Sequence, residues 1–125
     1  MKQEDKELLL KDLCARLSYG TTVVYCQNEN DWFEEEVDVG IIGICINDEY
    51  VVKPYLFPIS SLKEEQKEEL VRKRLGYYQV FEGAGRIFFF EKGHEVYDWL
   101  NEHRFDYRGL IEKGLAIDAT NLNIY

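Results

Sequence analysis

The sequence predicts a single α+β domain over residues 1–125. It would be built from an antiparallel sheet that curls, an N-terminal helix, a central capped helix and short C-terminal helices. The predicted order is helix, three strands, helix, two strands and two short helices, and this lack of strict alternation disfavours a parallel doubly wound sheet. A chain of 125 residues with 46% hydrophobic residues can bury its own core. No segment is rich in proline, glycine or serine, so no linker is evident.

The first helix is predicted over residues 4–17. Leu9, Leu13 and Leu17 lie at positions i, i+4 and i+8 and form an apolar stripe, and Gly20 follows as a stop. We expect the stripe to pack on a sheet, with a dimer interface as the alternative. Residues 21–27, TTVVYCQ, are rich in β-branched and aromatic side chains, which predicts the first strand.

Residues 37–46, VDVGIIGICI, are predicted as the second strand. Gly40 and Gly43 interrupt its alternation, which indicates a bend or bulge and therefore a curled sheet, with closure into a small barrel left open. A third strand over residues 49–53 would complete an antiparallel meander. Residues 53–61 should then cross the molecule as an extended segment, because a residue that precedes proline is pushed towards extended backbone.

The central helix is predicted to begin at Ser61, whose spacing to Glu64 matches a capping box, and to end at Gly76. Acidic residues early in this helix and basic residues late in it suit the helix dipole. Strands are predicted over residues 76–81 and 86–91 around the turn 82–85. The GAGR sequence in that turn precedes a β-forming run instead of a helix, so a phosphate loop is disfavoured.

A further helix is predicted over residues 94–104. Val96, Trp99, Leu100 and His103 lie at i, i+3, i+4 and i+7, so they share one apolar face. Asp106 is predicted to cap a short second helix over residues 107–113, with Gly114 in the left-handed position after it.

The net charge of −9 is concentrated in one part of the chain. Residues 17–52 carry eight acidic and no basic residues. Such a surface repels phosphate backbones, so nucleic-acid binding is disfavoured. Five acidic residues in this segment are predicted to form a solvated strand edge, and a site for a hard cation is the alternative, without EF-hand spacing. These residues are Asp31, Glu34, Glu35, Glu36 and Asp38.

Cysteine and histidine content argues against a metal site. Cys14, Cys26 and Cys45 are odd in number and have apolar neighbours, which is typical of reduced core thiols. There is no CxxC motif and the two histidines are nine residues apart, so no zinc site and no cofactor are predicted. The N-terminus has no continuous apolar run, which predicts neither a signal peptide nor a membrane span and favours a cytoplasmic protein.

The candidate functional residues lie where aromatic and charged side chains are densest, in residues 96–117. Three interpretations stay open for them. In the first, they form a core rim in which Asp106 pairs with Arg104 or Arg108. In the second, they form a recognition surface, since Trp, Tyr and Arg dominate binding hot spots. In the third, His103 near Asp106 acts as a general base, although no nucleophile is identifiable and no catalytic residue is assigned. The binding candidates are Trp99, His103, Arg104, Tyr107 and Arg108.

Four segments carry a resemblance to other proteins: LCARLSYG at 13–20, KPYLFPISSLKEEQKEEL at 53–70, GYYQVFE at 76–82 and DWLNEHRFDYRGLIEKGLAI at 98–117. In these segments the chain resembles a group of small uncharacterised proteins of gut-bacterial genomes, prophages and mobile elements. The resemblance implies a bacterial accessory gene. It implies no activity, cofactor or catalytic residue.

The function predicted from these features is that of a non-catalytic accessory protein that binds another protein, as a monomer or weak homodimer. One alternative is a small ligand-binding domain or enzyme with a pocket between the sheet and the helices, lined by Tyr77, Tyr78, Phe89 and His103. A third is an acidic protein that imitates nucleic acid, which would require carboxylates spaced like phosphates.

Overall fold

The computed structural model describes residues 2–27, 31–47, 49–72, 78–81, 86–89 and 93–125, and it confirms the α+β class. The helices are α1 (Gln3–Ala15), α2 (Val39–Ile46), α3 (Glu64–Arg72) and α4 (Gly93–Glu102). The strands are β1 (Thr22–Cys26), β2 (Phe33–Glu36), β3 (Val51–Pro58), β4 (Tyr78–Phe81), β5 (Arg86–Phe89), β6 (Phe105–Asp106) and β7 (Ile117–Asp118).

The main sheet is mixed and open. β1 is antiparallel to both β2 and β3, whereas β3 runs parallel to β6 and to β7 on its other side. The predicted meander is wrong, because residues 37–46 are not a strand of this sheet and β1 lies between β2 and β3. The first strand is confirmed and has antiparallel neighbours, and the sheet does not close into a barrel. β4 and β5 form a separate antiparallel pair, as predicted, and their turn lies outside the described residues.

The strand predicted over residues 37–46 is wrong, because the chain forms helix α2 there. Asp38 is its N-cap, and the carboxylate Oδ1 accepts a hydrogen bond from the amide of Ile41 at 2.8 Å. Ile41 and Cys45, four residues apart, then point into the core together. β-Branched composition is a weak preference that capping and helical packing override here. The second strand is instead β2, where Glu34, Glu35 and Glu36 are exposed.

Strand β3 extends further than predicted and passes through Pro54 to Pro58. Pro54 lies opposite Val23 in the pairing with β1, and β3 accepts short parallel partners on its other side. The amide of Phe57 donates to the carbonyl of Arg104 at 2.8 Å, which joins β3 to the segment after α4. The extended segment predicted over residues 53–61 is thus confirmed up to Pro58 as an interior strand of the sheet, whereas Ile59–Ser61 form a 3₁₀ turn.

Helix α3 begins later than predicted. Ser61 belongs to a 3₁₀ turn, Ile59–Ser61, and its hydroxyl donates to the carbonyl of Pro58 at 2.7 Å, so it is unavailable as the helix cap. Gln66 performs the reciprocal part of a capping box instead, because its side-chain oxygen accepts from the amide of Lys63 at 2.9 Å. The predicted stop at Gly76 lies outside the described residues.

Helix α4 is confirmed, and its Trp99 and Leu100 are buried. The second short helix predicted over residues 107–113 is wrong. Asp106 ends β6, and its carboxylate accepts from the amides of Leu110 and Ile111, both at 2.9 Å, so it holds a loop wider than a helical turn. Gly114 has the predicted left-handed conformation, with φ of 73°.

The core lies between α1, α2 and the sheet. Leu9 and Leu13 of α1 are buried there beside Val23, Ile41 and Leu56, as the predicted stripe requires. Leu17, its third member, lies beyond the end of α1 and is exposed. A second cluster joins the 3₁₀ turn to α4 and β6. None of the described helices has both the length and the apolar composition needed to cross a membrane.

The three cysteines are free, as expected, but they differ in environment. Cys26 and Cys45 are buried, whereas Cys14 is exposed, so its assignment as a core thiol is wrong. The reason is helical geometry: Cys14 follows Leu13 by one position and therefore points away from the buried stripe. Burial raises the pKa of the Cys45 thiol to about 11.

Candidate functional site

Two of the five candidate residues, Trp99 and Arg104, contact other parts of the chain and support the fold. Trp99 is 4% exposed and stacks on Phe105 with ring centroids 5.8 Å apart. Arg104 has a left-handed backbone, with φ of 64°, which turns the chain from α4 into β6. Its guanidinium donates to the carbonyl of Tyr19 at 3.1 Å and lies 4.1 Å above the ring of Tyr125. Both side chains therefore hold neighbouring segments together.

The ring that Arg104 covers anchors the end of the chain to the sheet. The Tyr125 hydroxyl donates to the carbonyl of Tyr55 at 2.7 Å and accepts from the amide of Thr22 at 2.9 Å. Burial raises the pKa of this hydroxyl, partly offset by the contact with the Thr22 backbone and by the charge of Arg104. The neutral phenol thus bridges β1 and β3.

His103 is not arranged as a general base with Asp106. Its Nδ1 atom lies 2.9 Å from the carbonyl oxygen of Trp99, and its ring stacks on the Trp99 indole at 4.0 Å. Both oxygens of Asp106 accept backbone amides, so this carboxylate does not orient the imidazole. The hypothesis of a His103–Asp106 catalytic pair therefore has no geometric support.

A buried ionic network lies beneath the remaining two candidates. Asp12 and Arg16, four residues apart at the end of α1, are both fully buried. Arg16 binds the Asp12 carboxylate through Nε at 2.8 Å and Nη2 at 3.0 Å, and Arg108 donates to the same carboxylate at 2.7 Å. Arg16 also donates to the carbonyl of Phe105 at 2.7 Å. The predicted pairing of Asp106 with Arg104 or Arg108 is thus wrong, because Asp12 pairs with Arg108.

Tyr107 is held in place by polar and cationic contacts. Its hydroxyl donates to the Asn101 side chain at 2.9 Å. The guanidinium groups of Arg108 and Arg16 lie 4.5 Å and 5.4 Å from its ring centre, and the ring of Tyr97 lies 4.9 Å away. Such cation–π contacts strengthen when they are shielded from water. Tyr107 and Arg108 are therefore preorganised side chains.

These side chains line a cavity that we call the α1–α4 groove. It has a volume of about 540 Å³ and is partly open to solvent. α1 supplies part of one wall, α4 supplies the other, and the segment after β6 closes one side. The lining residues are Lys11, Ala15, Tyr97, Asp98, Asn101, Tyr107 and Arg108.

The groove has mixed charge. Lys11 and Arg108 are cationic, Asp98 is anionic, and Asn101 is a neutral hydrogen-bonding group. Negative charge also affects the nearby Tyr19. Burial is the largest cause of the raised pKa of the Tyr19 hydroxyl, and the charges of Asp98 and Glu102 raise this pKa further. A groove with both signs and two tyrosines suits a ligand that presents polar and aromatic groups together more than a simple anion.

The sequence predicted only two residues of this groove, Tyr107 and Arg108. The Asp12–Arg16 spacing of four residues is a usual signal for a helical ion pair, and it was present in the sequence. That spacing cannot show that the pair is buried or that a third charge 96 positions away from Asp12 joins it. Tyr97 and Asn101 carried no comparable signal, since both lie off the apolar face of α4.

Within the part of the chain that the structure describes, no three His, Cys, Asp or Glu side chains come together as a metal site. The acidic group lies on the edge strand β2 and in its flanks, as the solvated-edge interpretation predicted. Glu34 and Glu35 accept hydrogen bonds from the hydroxyls of Tyr55 and Tyr25 at 2.9 Å and 3.2 Å.

The alternative pocket between the sheet and the helices was predicted to include three aromatic residues besides His103. Of these, Tyr77 and the side chains of Tyr78 and Phe89 lie outside the described residues.

Comparison of the chain with protein-family models, with curated proteins and with solved structures finds no match.

Proposed function

We propose that this protein is a non-catalytic interaction module and that the α1–α4 groove receives a projecting segment of a partner protein. The observation that carries the proposal is the preorganised pair Tyr107 and Arg108 in the wall of a partly open cavity. Tyrosine and arginine are enriched among residues that dominate binding energy. Side chains already fixed in the free protein lose little conformational entropy on binding.

The groove suits a short peptide segment by size and by chemistry. Its volume of about 540 Å³ lies within the range of ligand cavities, about 300 to 1,000 Å³. The exposed Tyr97 ring adds an aromatic surface at the entrance, and Lys11 and Asp98 offer one charge of each sign. A segment with one aromatic or aliphatic side chain and charged neighbours would match this lining.

A small ligand-binding domain is the second candidate, because the same volume admits a metabolite. The groove differs from the pocket expected for that class, since α1 and α4 line it and His103 does not. Both candidates use the same lining, so the experiment must distinguish a peptide from a metabolite.

The test uses peptide display on the intact protein, followed by affinity measurement with selected peptides. Lys11→Glu and Tyr97→Ala alter the rim without touching the buried Asp12, and Lys63→Glu is a matched control at an exposed site just before α3. We expect both rim variants to weaken binding at least about tenfold, roughly 1.4 kcal/mol each. The control should bind like the wild type.

Peptides that bind all variants equally would place recognition elsewhere and contradict the proposal. A metabolite library screened by thermal shift covers the second candidate. If no peptide is selected and a metabolite stabilises the wild type but not Tyr97→Ala, the ligand-binding alternative replaces the interaction module.

A further inference from the structure

The ionic network beneath the α1–α4 groove contains more positive than negative charge. Asp12 is its single carboxylate, and both Arg16 and Arg108 donate to it. Arg16 also donates to the carbonyl of Phe105, which is neutral and adds no negative charge. The three charged side chains therefore leave an excess of one positive charge at this place, although the net charge of the chain is −9.

The excess positive charge reaches the groove through Arg108. Its side chain is 15% exposed, whereas the side chains of Asp12 and Arg16 are fully enclosed. Nη1 of Arg108 donates to Asp12, and the described residues provide no acceptor for its other N–H groups. A guanidinium has five N–H donors in a planar fork. Arg108 therefore offers unused donors to a ligand, at a position that Asp12 and the ring of Tyr107 already fix.

A second cation lines the same groove. Lys11 is exposed on α1, next to Asp12, and forms no ion pair or hydrogen bond with the described residues. Asp98 on α4 contributes the opposite charge to the lining. A single carboxylate matches this arrangement, because its two oxygens can accept two N–H groups of one arginine in parallel. A phosphate group, with nearly two negative charges, would be repelled more strongly by Asp98.

We propose that the groove recognises the side-chain carboxylate of an aspartate or glutamate that stands beside an aromatic residue in the partner's segment. The carboxylate would bind Arg108 and Lys11. The aromatic neighbour would pack on the rings of Tyr97 and Tyr107, whose centroids lie 4.9 Å apart. A segment that projects as a loop has no chain terminus of its own, so the carboxylate comes from a side chain. The inference rests on the proposed function and names the chemistry of the segment.

The probes are three acetylated dipeptides that differ in their carboxylates. Acetyl-Asp-Phe-amide has a side-chain carboxylate, acetyl-Asn-Phe-amide has none, and acetyl-Asn-Phe with a free C-terminus has a terminal carboxylate. Binding to the intact, ¹⁵N-labelled protein is measured by NMR titration at constant ionic strength. The reporters are the Nε–H signal of Arg108 and the backbone amide signals of Lys11 and Asn101.

We expect acetyl-Asp-Phe-amide to shift all three reporter signals. Acetyl-Asn-Phe-amide should bind at least about fivefold more weakly, because it lacks the charged acceptor for the guanidinium. The dipeptide with the terminal carboxylate should bind more weakly than acetyl-Asp-Phe-amide, because its charge lies on the other side of the phenylalanine.

Two variants of the protein change the charge of the groove in opposite directions. Lys11→Gln should weaken binding of acetyl-Asp-Phe-amide by about two- to fivefold, and Asp98→Asn should strengthen it by a similar factor. Damage to the fold does not explain a gain in affinity, so the second variant separates charge from structure. Lys63→Gln and Glu65→Gln, at exposed residues outside the groove lining, are the matched controls and should bind like the wild type.

Equal binding of the two amidated dipeptides at the groove would overturn this inference and leave the proposed function intact. Binding of the terminal carboxylate alone would also overturn it and would identify a chain terminus as the occupant. Weaker binding by Asp98→Asn, or tighter binding by Lys11→Gln, would contradict the assigned role of charge. Reporter signals that no dipeptide shifts would count against both the inference and the proposed function.

Discussion

Two regions of this protein depart in opposite ways from the usual separation of charged surface and apolar core. At the end of α1, Asp12 and Arg16 are fully buried together. On α2, Val39 and Ile46 are largely exposed. The first region places charges where their desolvation is costly, and the second places apolar side chains where they gain nothing from burial.

The two departures differ in how the molecule compensates for them. The buried carboxylate of Asp12 binds both Arg16 and Arg108, and Arg16 also donates to the backbone of Phe105. The network is thus largely satisfied within the chain, although Nη1 of Arg16 has no hydrogen-bond partner. Val39 and Ile46 have no such compensation and stay largely exposed on α2. A buried charge requires compensation inside the fold, whereas single exposed apolar side chains are common on protein surfaces and need none.

The largest expected effect comes from breaking the ionic network. Asp12→Ala leaves Arg16 buried without its carboxylate and should lower the free energy of unfolding by about 3 to 5 kcal/mol. Urea denaturation monitored by circular dichroism measures this loss. Asp5→Ala, whose carboxylate is 4.0 Å from Lys113 and partly exposed, is the control and should change stability by less than about 1 kcal/mol. A similar loss in both variants would show that burial of the network contributes little.

Substitutions within α2 compare its two faces directly. Ile41→Ala removes a buried side chain and should cost about 2 to 5 kcal/mol through lost burial and a residual cavity. Val39→Ala, two residues earlier at a side chain that is 79% exposed, should cost less than about 0.5 kcal/mol. Equal losses in the two variants, measured by the same denaturation, would mean that Val39 is covered in the free protein.

Removing the cap of α2 should have a smaller effect. Asp38→Ala eliminates the carboxylate that accepts from the Ile41 amide and should cost about 1 kcal/mol. Asp38→Ser retains a capping oxygen and should lose no more than half of that. If the serine variant is as unstable as the alanine variant, charge repulsion or dipole effects account for the role of Asp38 instead of the hydrogen bond.

The smallest effect at neutral pH concerns Cys45, whose thiol has a folded pKa of about 11 against an ordinary value of 9.0. The folded state binds this proton more tightly, so its contribution to stability is complete below pH 9.0 and is lost as the pH rises towards 11. Stability curves over this range should fall less steeply for Cys45→Ala than for the wild type. A Cys45→Ala variant that keeps the wild-type slope would contradict this role of the buried thiol.

Periodicity was sufficient where an element is long and has one apolar face. The leucines of α1 and the Trp99 face of α4 predicted both helices, and the β-branched run of β1 predicted its strand. Each of these segments contains its own structural signal, because the spacing of its side chains matches only one regular structure. The excess of acidic residues before Tyr50 was likewise a property of the composition alone.

Other features depend on contacts between distant parts of the chain. The run VGIIGICI has the β-branched content of a strand, yet the Asp38 cap and the site for Ile41 and Cys45 in the core favour a helix. Asp106 looked like a helix cap, but β6 pairs with β3 and positions its carboxylate for the amides of a wider loop. Local sequence could not distinguish these outcomes, because their free energies differ through tertiary packing.

The candidate site divides in the same way. The sequence alone established that Trp99, His103, Arg104, Tyr107 and Arg108 lie in a dense aromatic and cationic segment, since composition is local. Only the tertiary structure separated the supporting residues from those that line the groove, because it brought Asp12 of α1 to Arg108 and Asn101 of α4 to Tyr107. The free energy of a buried charge depends on which groups surround it in space, and order along the chain does not specify those neighbours.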